Sequence, residues 1–326
     1  MQTRWLGRTG VQVSQLCFGT MSFGGDADAA ESGRLYAAAR EAGINFFDCA
    51  DVYNGGAAEE ILGRLIAPER DAIVLTSKLA MPVGKDADLN ARGLNRRHIA
   101  HAVEASLKRL ATDRLDVLFV HRWDANTPLE ESLRALDLLV RDGKVLYLGV
   151  SNYAAWQIAK ALGIQDRNGW PRFDVIQPMY NLVKRQAEVE IFPLAQAEGL
   201  GVISYGPNGG GLLTGKYRRG EKPEGVRLTA NTEYAKRYDE AWYYEAAEAF
   251  TALADARGVH PVSLAVAWAG FHPAVTCPIV GARTVEQLAP SLASVEVEMT
   301  RDLWDEIAAL SRTPPPATDR LEEQRG

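Results

Sequence analysis

Four side chains with complementary proton chemistry end or follow strongly apolar segments of the sequence. Asp48, Lys78 and His121 each end such a segment, and Tyr53 lies five residues after Asp48. A phenol has a pKa of about 10, and a nearby ammonium group lowers it by favouring the phenolate. A carboxylate can hold the ammonium group, and an imidazole can orient a carbonyl group. The set suits reversible proton transfer to a carbonyl oxygen, whereas a redox reaction also requires a cofactor that supplies hydride.

Eight short apolar segments carry these residues, and longer helical patterns separate them. The short segments do not alternate polar with apolar residues, as expected for parallel strands that are buried on both faces. Eight such units in series predict an α/β fold, a single (β/α)8 barrel of the TIM type over residues 1–326. A doubly wound sheet is the alternative, but no convincing G-x-G-x-x-G stands between a strand and a helix. The predicted strands are 16–20, 44–48, 72–78, 115–121, 145–151, 173–177, 200–205 and 275–280.

Other segments of the chain extend this repeat. Residues 3–15 predict a β-hairpin that caps one end of the barrel, with Gly10 in its turn, and residues 300–310 predict an appended helix. Residues 206–239 predict a long loop, of the kind that forms lids, and 312–326 a flexible tail, because three consecutive prolines cannot continue a helix. The predicted barrel helices are 29–43, 58–66, 95–110, 129–144, 153–163, 187–199, 240–257 and 284–295, the last one bent at Pro290.

The carboxyl ends of the predicted strands collect polar residues almost without exception. In barrels of this type the active site lies at that end. Each residue also has a purely structural explanation: Asp48 could cap a helix, and His121 could be a hydrogen-bonded core histidine. Because all of these residues would lie at the same end of the barrel, a functional site is favoured over separate structural roles. Besides the four residues above, the strand ends carry Gly19, Thr20, Ser151, Asn152, Gln177, Tyr205, Gly281 and Arg283.

Composition narrows the class of protein. The chain has 326 residues, 47% of them hydrophobic, and its net charge of −6 argues against a nucleic-acid-binding surface. Its three cysteines form no C-x-x-C pair, so neither a disulfide framework nor a structural zinc site is expected. The first residues show no signal peptide, and no apolar run is long enough to span a membrane. These features predict a cytoplasmic protein without a bound metal.

Over nearly its whole length the chain resembles the aldo-keto reductase family. The resemblance implies a reductase that uses a nicotinamide cofactor, with Asp48, Tyr53, Lys78 and His121 as its catalytic residues. Tyr53 would act as the general acid, and Lys78, paired with Asp48, would tune it. His121 would position the substrate carbonyl. The matching segments, more specific as an ordered series than singly, are 6–24, 46–66, 74–78, 116–124, 143–153, 175–185, 211–217 and 279–288.

The resemblance also implies a cofactor site. Ser151, Asn152 and Gln177 would hydrogen-bond the nicotinamide carboxamide, and the nicotinamide ring would stack on Tyr205. Arg283 favours NADP over NAD, because the guanidinium fork suits the 2′-phosphate. The other cofactor-binding residues that the resemblance implies are Gly19, Thr20, Met21, Leu212, Thr214, Lys216, Gly281, Gln287 and Ser291.

Two departures from the family pattern concern this cofactor site. Ser291 stands where many relatives carry an asparagine that contacts adenine. Tyr205 is followed by GPNGGG, where relatives often read Ser-Pro-Leu. The additional glycines predict a more mobile loop over the pyrophosphate. NADH therefore stays open as the alternative cofactor.

The substrate pocket is expected to have an aromatic mouth. The candidate lining residues are Phe23, Val52, Trp123 and Tyr234, and Trp123 follows His121 by two positions. Packing at the barrel rim would explain Trp123 equally well. Such a mouth suits a partly apolar aldehyde or ketone, or the face of a sugar, and does not choose between them.

Two other functions are compatible with a barrel of this kind. A cofactor-binding regulatory protein resembling potassium-channel β subunits would retain its cofactor with little turnover. An unrelated phosphate-binding barrel, such as an isomerase or aldolase, would use Lys78 to form a Schiff base. The order of the motifs favours a carbonyl reductase, with the regulatory protein as the main alternative.

Overall fold

The computed structural model describes residues 1–84, 87–217, 228, 232–318 and 320. Eight parallel strands in this part of the chain close into a barrel, since the last strand pairs with the first at Ile279 and Cys17. Seven of the eight barrel strands lie within one predicted segment each, and the third ends one residue beyond its segment, at Leu79, so the TIM-barrel prediction is confirmed. The strands are β1 (Thr3–Trp5) and β2 (Gln12–Ser14) of the hairpin, then β3 (Cys17–Gly19), β4 (Phe46–Asp48), β5 (Val74–Leu79), β6 (Leu115–Val120), β7 (Val145–Ser151), β8 (Phe173–Gln177), β9 (Gly201–Ser204) and β10 (Cys277–Val280).

Helices connect the barrel strands, and side-chain caps begin several of them. Asn95 accepts a hydrogen bond of 2.9 Å from His98 N, and Asp28 accepts one of 2.8 Å from Glu31 N. The helices are α1 (Ala29–Glu41), α2 (Ala57–Ile66), α3 (Arg96–Leu110), α4 (Leu129–Arg141), α5 (Ala155–Asn168), α6 (Ile191–Glu198), α7 (Thr232–Arg237), α8 (Ala241–Ala256), α9 (Pro261–Phe271), α10 (Val285–Leu292) and α11 (Arg301–Ala308).

The sequence reasoning missed α9, which precedes the last barrel strand. Its sequence, PVSLAVAWAGF, is apolar on nearly every side, so it lacks the polar face by which a helix is recognised. Trp268 on this helix stacks on Trp304 of α11 with ring centres 5.5 Å apart, which fixes the predicted appended helix to the barrel. Pro290 lies inside α10, which passes into a 3-10 turn at Ala293–Glu296.

The predicted hairpin closes the amino-terminal end of the barrel. β1 and β2 pair antiparallel, and Gly10 adopts φ 75° in the turn between them. Leu6 and Val13 are fully buried and pack with Cys17 and Phe46 in the barrel interior. The hairpin thus covers this end in the described part of the chain, and the carboxyl-terminal end is where the predicted site is expected.

The predicted loop 206–239 and tail 312–326 both extend beyond the described residues. The described part of the loop contains a 3-10 turn at Gly209–Thr214 and helix α7, and residues 218–227 and 229–231 lie outside it. Residues 312–318 form neither helix nor strand, and the tail continues outside the described residues. The single-domain assignment, the lid and the flexible tail stay predictions. No helix in the described ranges has the length and apolar character to cross a membrane.

Candidate active site

Lys78 lies at the centre of the candidate site, fully buried on β5. Its Nζ atom lies 2.6 Å from Asp48 Oδ2 and 3.2 Å from Tyr53 Oη, and donates a further hydrogen bond of 2.8 Å to Cys49 O. Strand register explains the first contact, because Asp48 is opposite Thr76 and Lys78 lies two residues further on the same face. Three of the four predicted catalytic residues therefore form one hydrogen-bonded group.

Asp48 is held from two sides of the barrel. Thr76 Oγ1 donates to Asp48 Oδ1 at 2.8 Å, and Gln177 Nε2 donates to the same oxygen at 2.9 Å. Because Lys78 contacts the other oxygen, the carboxylate cannot rotate without losing hydrogen bonds to three residues. Gln177, which the family resemblance links to the cofactor carboxamide, thus also supports the catalytic carboxylate.

Burial dominates the ionisation of the Tyr53 and Lys78 pair. Loss of hydration raises the pKa of Tyr53 to about 12, although the Lys78 ammonium group opposes the rise. Lys78 thus lowers the phenol pKa as expected, but burial has the larger effect, so the pKa of Tyr53 lies above its ordinary value. Burial lowers the pKa of Lys78, but the attraction of Asp48 and Tyr53 outweighs it, so the net shift is upward. At neutral pH the pair is a phenol and an ammonium group, and Tyr53 can donate a proton.

His121, at the end of β6, lies beside this group. Its ring centre is 6.1 Å from that of Tyr53, and the two planes are nearly perpendicular. Burial lowers the pKa of His121 to about 3, and the charges of Lys78 and Arg122 add to the fall. Its Nδ1 atom is buried without a hydrogen-bond partner in the described part of the chain. The imidazole is therefore neutral and has one N–H that can donate to a carbonyl oxygen.

Polar side chains at the ends of β7 and β9 lie next to His121. Asn152 adopts a left-handed conformation with φ 57°, so that its Nδ2 donates to His121 O at 2.9 Å. Tyr205 Oη donates to Asn152 Oδ1 at 2.7 Å, and Ser151 Oγ donates to Gln177 O at 2.8 Å. The structure thus brings the four residues linked to the nicotinamide together beside the catalytic group.

The end of β3 forms the neighbouring side of the mouth. Thr20 donates two hydrogen bonds to Asp48 O, from its backbone N at 2.9 Å and from Oγ1 at 3.0 Å. A Cβ atom added at Gly281 would lie 2.9 Å from Gly19 O, so the backbones approach too closely there for a side chain. Met21 is 39% exposed at this rim.

Asn54 is a structural residue of the site that the sequence reasoning missed. Its Nδ2 atom donates to Met21 O at 2.9 Å and to Phe23 O at 2.8 Å, which ties the Tyr53 loop to the loop after β3. Asn54 adopts φ 49°, a conformation that asparagine tolerates better than most residues. The signal in the sequence was the Asn-Gly pair after Tyr53, which is typical of turns. Phe23 itself is fully buried against Phe18, so its ring does not line the mouth.

Two buried carboxylates behind the Tyr53 loop were also missed. Glu59 accepts a hydrogen bond from Ser77 Oγ and one of 2.7 Å from Arg109 Nε. Asp51 is fully buried, and neither of its oxygens has a hydrogen-bond partner among the described residues. Burial raises the pKa of Asp51 to about 7, with Glu59 adding to the rise and Arg109 and Lys78 opposing it.

Three of the residues that the resemblance links to the cofactor, Arg283, Gln287 and Ser291, lie at the start of α10 or within it. Arg283 Nε lies 3.1 Å from Asp26 Oδ2, and Arg283 N donates to Gln287 Oε1 at 3.3 Å. The ion pair is half-exposed on both sides, which makes it weak enough for a ligand phosphate to displace Asp26. Ser291 is almost fully buried, so its side chain has little surface to offer a cofactor.

The glycine-rich segment after β9 packs beneath α7. A Cβ atom added at Gly210 would come within 2.8 Å of the Tyr234 ring, so this glycine allows the ring to cover the segment. Tyr234, a predicted substrate-lining residue, therefore lies against the segment linked to the pyrophosphate. Of the other residues predicted there, Leu212 is fully buried, Thr214 Oγ1 donates to Gly211 O at 2.7 Å, and Lys216 is exposed.

The remaining predicted substrate residues lie on two sides of the catalytic group. Trp123 is half-buried, with its ring centre 5.2 Å from that of Tyr153 in an edge-to-face arrangement. Val52 is half-buried in the loop that ends at Tyr53. Trp123 therefore contributes to rim packing, and its partial exposure also leaves it accessible to a ligand.

The residues present fit a nicotinamide dinucleotide. Tyr205 supplies an aromatic ring beside the side-chain amide of Asn152, and the Gly19 and Gly281 backbones leave a mouth without side chains there. His121 offers a buried ring nitrogen without a partner in the described ranges. Arg283 places a half-exposed guanidinium group at the start of α10. The residues that could bind a cofactor thus extend from the catalytic group to the start of α10.

Comparison with known proteins identifies the family. The sequence model described as the Aldo/keto reductase family matches residues 15–312. The chain is 37% identical to a Bacillus subtilis (strain 168) protein named "Uncharacterized oxidoreductase YrpG", over 93% of this chain and 94% of that protein. It is 36% identical to a "Probable voltage-gated potassium channel subunit beta" of Oryza sativa subsp. japonica, over 98% of this chain and 99% of that protein. It is 33% identical to the "Versiconal hemiacetal acetate reductase" of Aspergillus parasiticus, over 92% of this chain and 94% of that protein.

The matches cover the barrel from its first strand to its last helix, together with all the residues of the catalytic group. The chain belongs to the Aldo/keto reductase family and is an oxidoreductase.

Proposed function

We propose that this protein reduces the carbonyl group of an aldehyde or ketone with NADPH, with Tyr53 as the general acid. The observation that carries the proposal is the buried hydrogen bond of 3.2 Å from Lys78 Nζ to Tyr53 Oη, next to the Lys78–Asp48 ion pair at 2.6 Å. A buried phenol beside a fixed ammonium group can release its proton and leave a phenolate that the same ammonium group stabilises.

The bond changes balance with one proton from the protein and one hydride from the cofactor. When bound, the reduced nicotinamide supplies the hydride that forms the new C–H bond at the carbonyl carbon. The carbonyl π bond breaks toward oxygen, and Tyr53 Oη donates its proton to that oxygen. Lys78 stabilises the resulting phenolate, which solvent reprotonates after the alcohol leaves. The neutral His121 donates an N–H to the same oxygen and orients it toward Tyr53.

Three groups of residues would hold the cofactor. Asn152, Ser151 and Gln177 would bond the carboxamide, and Tyr205 would lie under the ring. The glycine-rich segment with Thr214 and Lys216 would follow the pyrophosphate, while Arg283 and Gln287 would face the ribose phosphate. Arg283 is the reason to prefer NADPH to NADH, since a guanidinium group binds phosphate oxygens in pairs. Cytoplasmic location stays a prediction.

Tyr53→Phe is the variant that tests the proposal, because it removes the proton and keeps the ring. Binding of NADPH, followed by fluorescence, should stay within about twofold, while the rate of carbonyl reduction should fall by about 10³-fold. Gln15→Ala, in the hairpin-proximal loop at the opposite end of the barrel, is the control. Equal rates in the two variants would contradict the assignment of Tyr53.

A regulatory protein that retains its cofactor is the second candidate, favoured by the likeness to the rice protein named as a potassium channel subunit. Tight NADPH binding without turnover of any carbonyl in a broad panel would support it. A Schiff base on Lys78 is disfavoured, because its Nζ atom already donates to Asp48, Tyr53 and Cys49 and therefore has no free lone pair.

A further inference from the structure

Glu59 and Arg109 form a buried ion pair behind the loop that carries Tyr53. Glu59, the third residue of α2, is fully buried, and its Oε2 atom lies 2.7 Å from Arg109 Nε on α3. The other carboxylate oxygen of Glu59 accepts a hydrogen bond from Ser77 Oγ on β5. One carboxylate therefore joins the start of α2 to the end of α3 and to the strand that holds Lys78.

The contact with Ser77 brings this ion pair next to the catalytic group. Successive side chains of a strand point to opposite faces, so Lys78 faces the barrel interior while Ser77 faces the helices. The backbone of the Tyr53 loop meets the same strand, because Asp51 N donates to Lys78 O at 3.1 Å. A displacement of Glu59 would thus act on both partners of the hydrogen bond between Tyr53 and Lys78.

Arg109 also packs against the Tyr53 loop from outside. A Cβ atom added at Gly56 would lie 2.7 Å from Arg109 Cδ and 2.9 Å from its Nε, so the side chain lies directly on the loop backbone. Gly56 adopts φ 98° and follows Tyr53 by three residues, at the point where the loop passes into α2. Arg109 therefore limits the movement of the backbone close to Tyr53.

Packing alone does not explain why this contact is charged. Burial of an ion pair costs hydration free energy, and apolar side chains of similar size often stabilise a core equally well. A carboxylate that binds two donors at once also fixes their relative positions, which apolar packing does less strictly. The charged contact therefore suits a role in which geometry matters more than stability.

We propose that Glu59 and Arg109 are positioning residues for carbonyl reduction, which hold Tyr53 Oη within hydrogen-bonding distance of Lys78 Nζ. Neither residue touches the substrate; both act through the loop and the strand that carry the two catalytic groups. The inference rests on the proposed function, because the contact that the pair maintains is the one from which the substrate oxygen would receive its proton.

Arg109→Met tests the inference. It should lower kcat about 10²-fold, because a small displacement of the acid costs about that much, while KM and the Kd for NADPH stay within about twofold. Arg109→Lys, which keeps the charge, should retain more of the rate. The matched control is Arg70→Met, since Arg70 Nη2 lies 2.8 Å from Asp116 Oδ2 in a similarly buried pair at the amino-terminal end of β6. The control should lose stability and keep kcat.

The double variant Arg109→Met with Glu59→Gln separates positioning from stability. It removes both buried charges and leaves an oxygen for Ser77, so the midpoint of urea unfolding should return toward that of the wild type. Its kcat should stay low. A kcat that recovers together with stability would overturn the inference, and so would equal losses of kcat in Arg109→Met and Arg70→Met.

A spectroscopic measurement makes the test independent of turnover. In protein labelled with 3-fluorotyrosine, the resonance that disappears in Tyr53→Phe identifies Tyr53 by fluorine NMR. Arg109→Met should shift and broaden this resonance, and Arg70→Met should leave it unchanged. If the wild-type protein reduces no carbonyl in a broad panel, the proposed function fails, and the Tyr53 resonance then decides the positioning role by itself. An unchanged resonance in Arg109→Met would overturn that role.

Discussion

Asp26 and Arg283 form an ion pair between the loop after β3 and the start of α10, with 3.1 Å between Oδ2 and Nε. The pair occupies the guanidinium group that NADPH would need for its 2′-phosphate. A phosphate carries more charge than the carboxylate and accepts two parallel hydrogen bonds, so it should displace Asp26 from Arg283. We therefore expect the Asp26 carboxylate and a 2′-phosphate to compete for Arg283.

Removing the competing carboxylate should strengthen NADPH binding. We predict that Asp26→Asn lowers the Kd for NADPH about threefold and leaves the Kd for NADH unchanged, since half-exposed ion pairs are worth less than about 1 kcal/mol. Arg283→Ala should raise the Kd for NADPH at least tenfold without affecting NADH. Fluorescence titration with both cofactors measures this, and parallel changes for NADPH and NADH would exclude a contact with the 2′-phosphate.

The Lys78 charge should matter for rate more than for cofactor binding. Lys78→Met alone leaves Asp48 buried without its cation, which costs on the order of 3–5 kcal/mol of folding stability. The double variant Lys78→Met with Asp48→Asn removes both charges and should recover most of that loss in a urea titration. Both variants should lose about 10³-fold in kcat, because the Tyr53 phenolate is no longer stabilised. Recovery of the rate in the double variant would contradict the role of Lys78.

Asn54 should couple the Tyr53 loop to the β3 end through its amide group. Asn54→Gly keeps the left-handed backbone and removes two hydrogen bonds, so we expect a loss of about 1–2 kcal/mol in unfolding free energy and several-fold in kcat. Asn54→Ala should lose about 1 kcal/mol more, because alanine resists this conformation. Ala111→Gly, at a helix end with the same φ of 49°, is the control. It should gain stability without changing kcat.

Asp51 predicts a stability that falls as pH rises. Its carboxyl pKa is about 7 in the folded protein, above its value of about 3.9 in unfolded chains, so the folded state binds the proton more tightly. Stability attributable to this group is therefore fully present below about pH 4 and is lost as pH rises toward 7. Glu59, Arg109 and Lys78 also act on the pKa of Asp51, and a substitution of Asp51 leaves these three side chains unchanged.

Asp51→Asn should remove this dependence. The difference in Tm, variant minus wild type, should increase by roughly 3 °C between pH 5 and pH 8. Calorimetry at constant ionic strength measures it. If the difference in Tm between wild type and variant does not change with pH, Asp51 does not titrate in this range.

Sequence reasoning found the barrel because strands buried on both faces leave unbroken apolar segments. It missed α9 for the same reason, since a helix without a polar face shows no period of 3.6 residues. Contacts such as Gln177 to Asp48 join residues far apart in the chain and depend on how the barrel closes. The net pKa of Tyr53 could not be predicted either, because it depends on how completely the phenol is buried.

The hairpin that carries Leu6 and Val13 covers the amino-terminal end of the barrel, opposite the rim at which Asp48 and Lys78 lie. We expect substrate, product and the protons that Tyr53 exchanges with water to pass this carboxyl-terminal rim. Ligands that cover the rim would then also separate Asp48 and Lys78 from solvent. Proton uptake from the medium would then follow product release in each cycle, so a slowly leaving product would also delay the recharging of the acid.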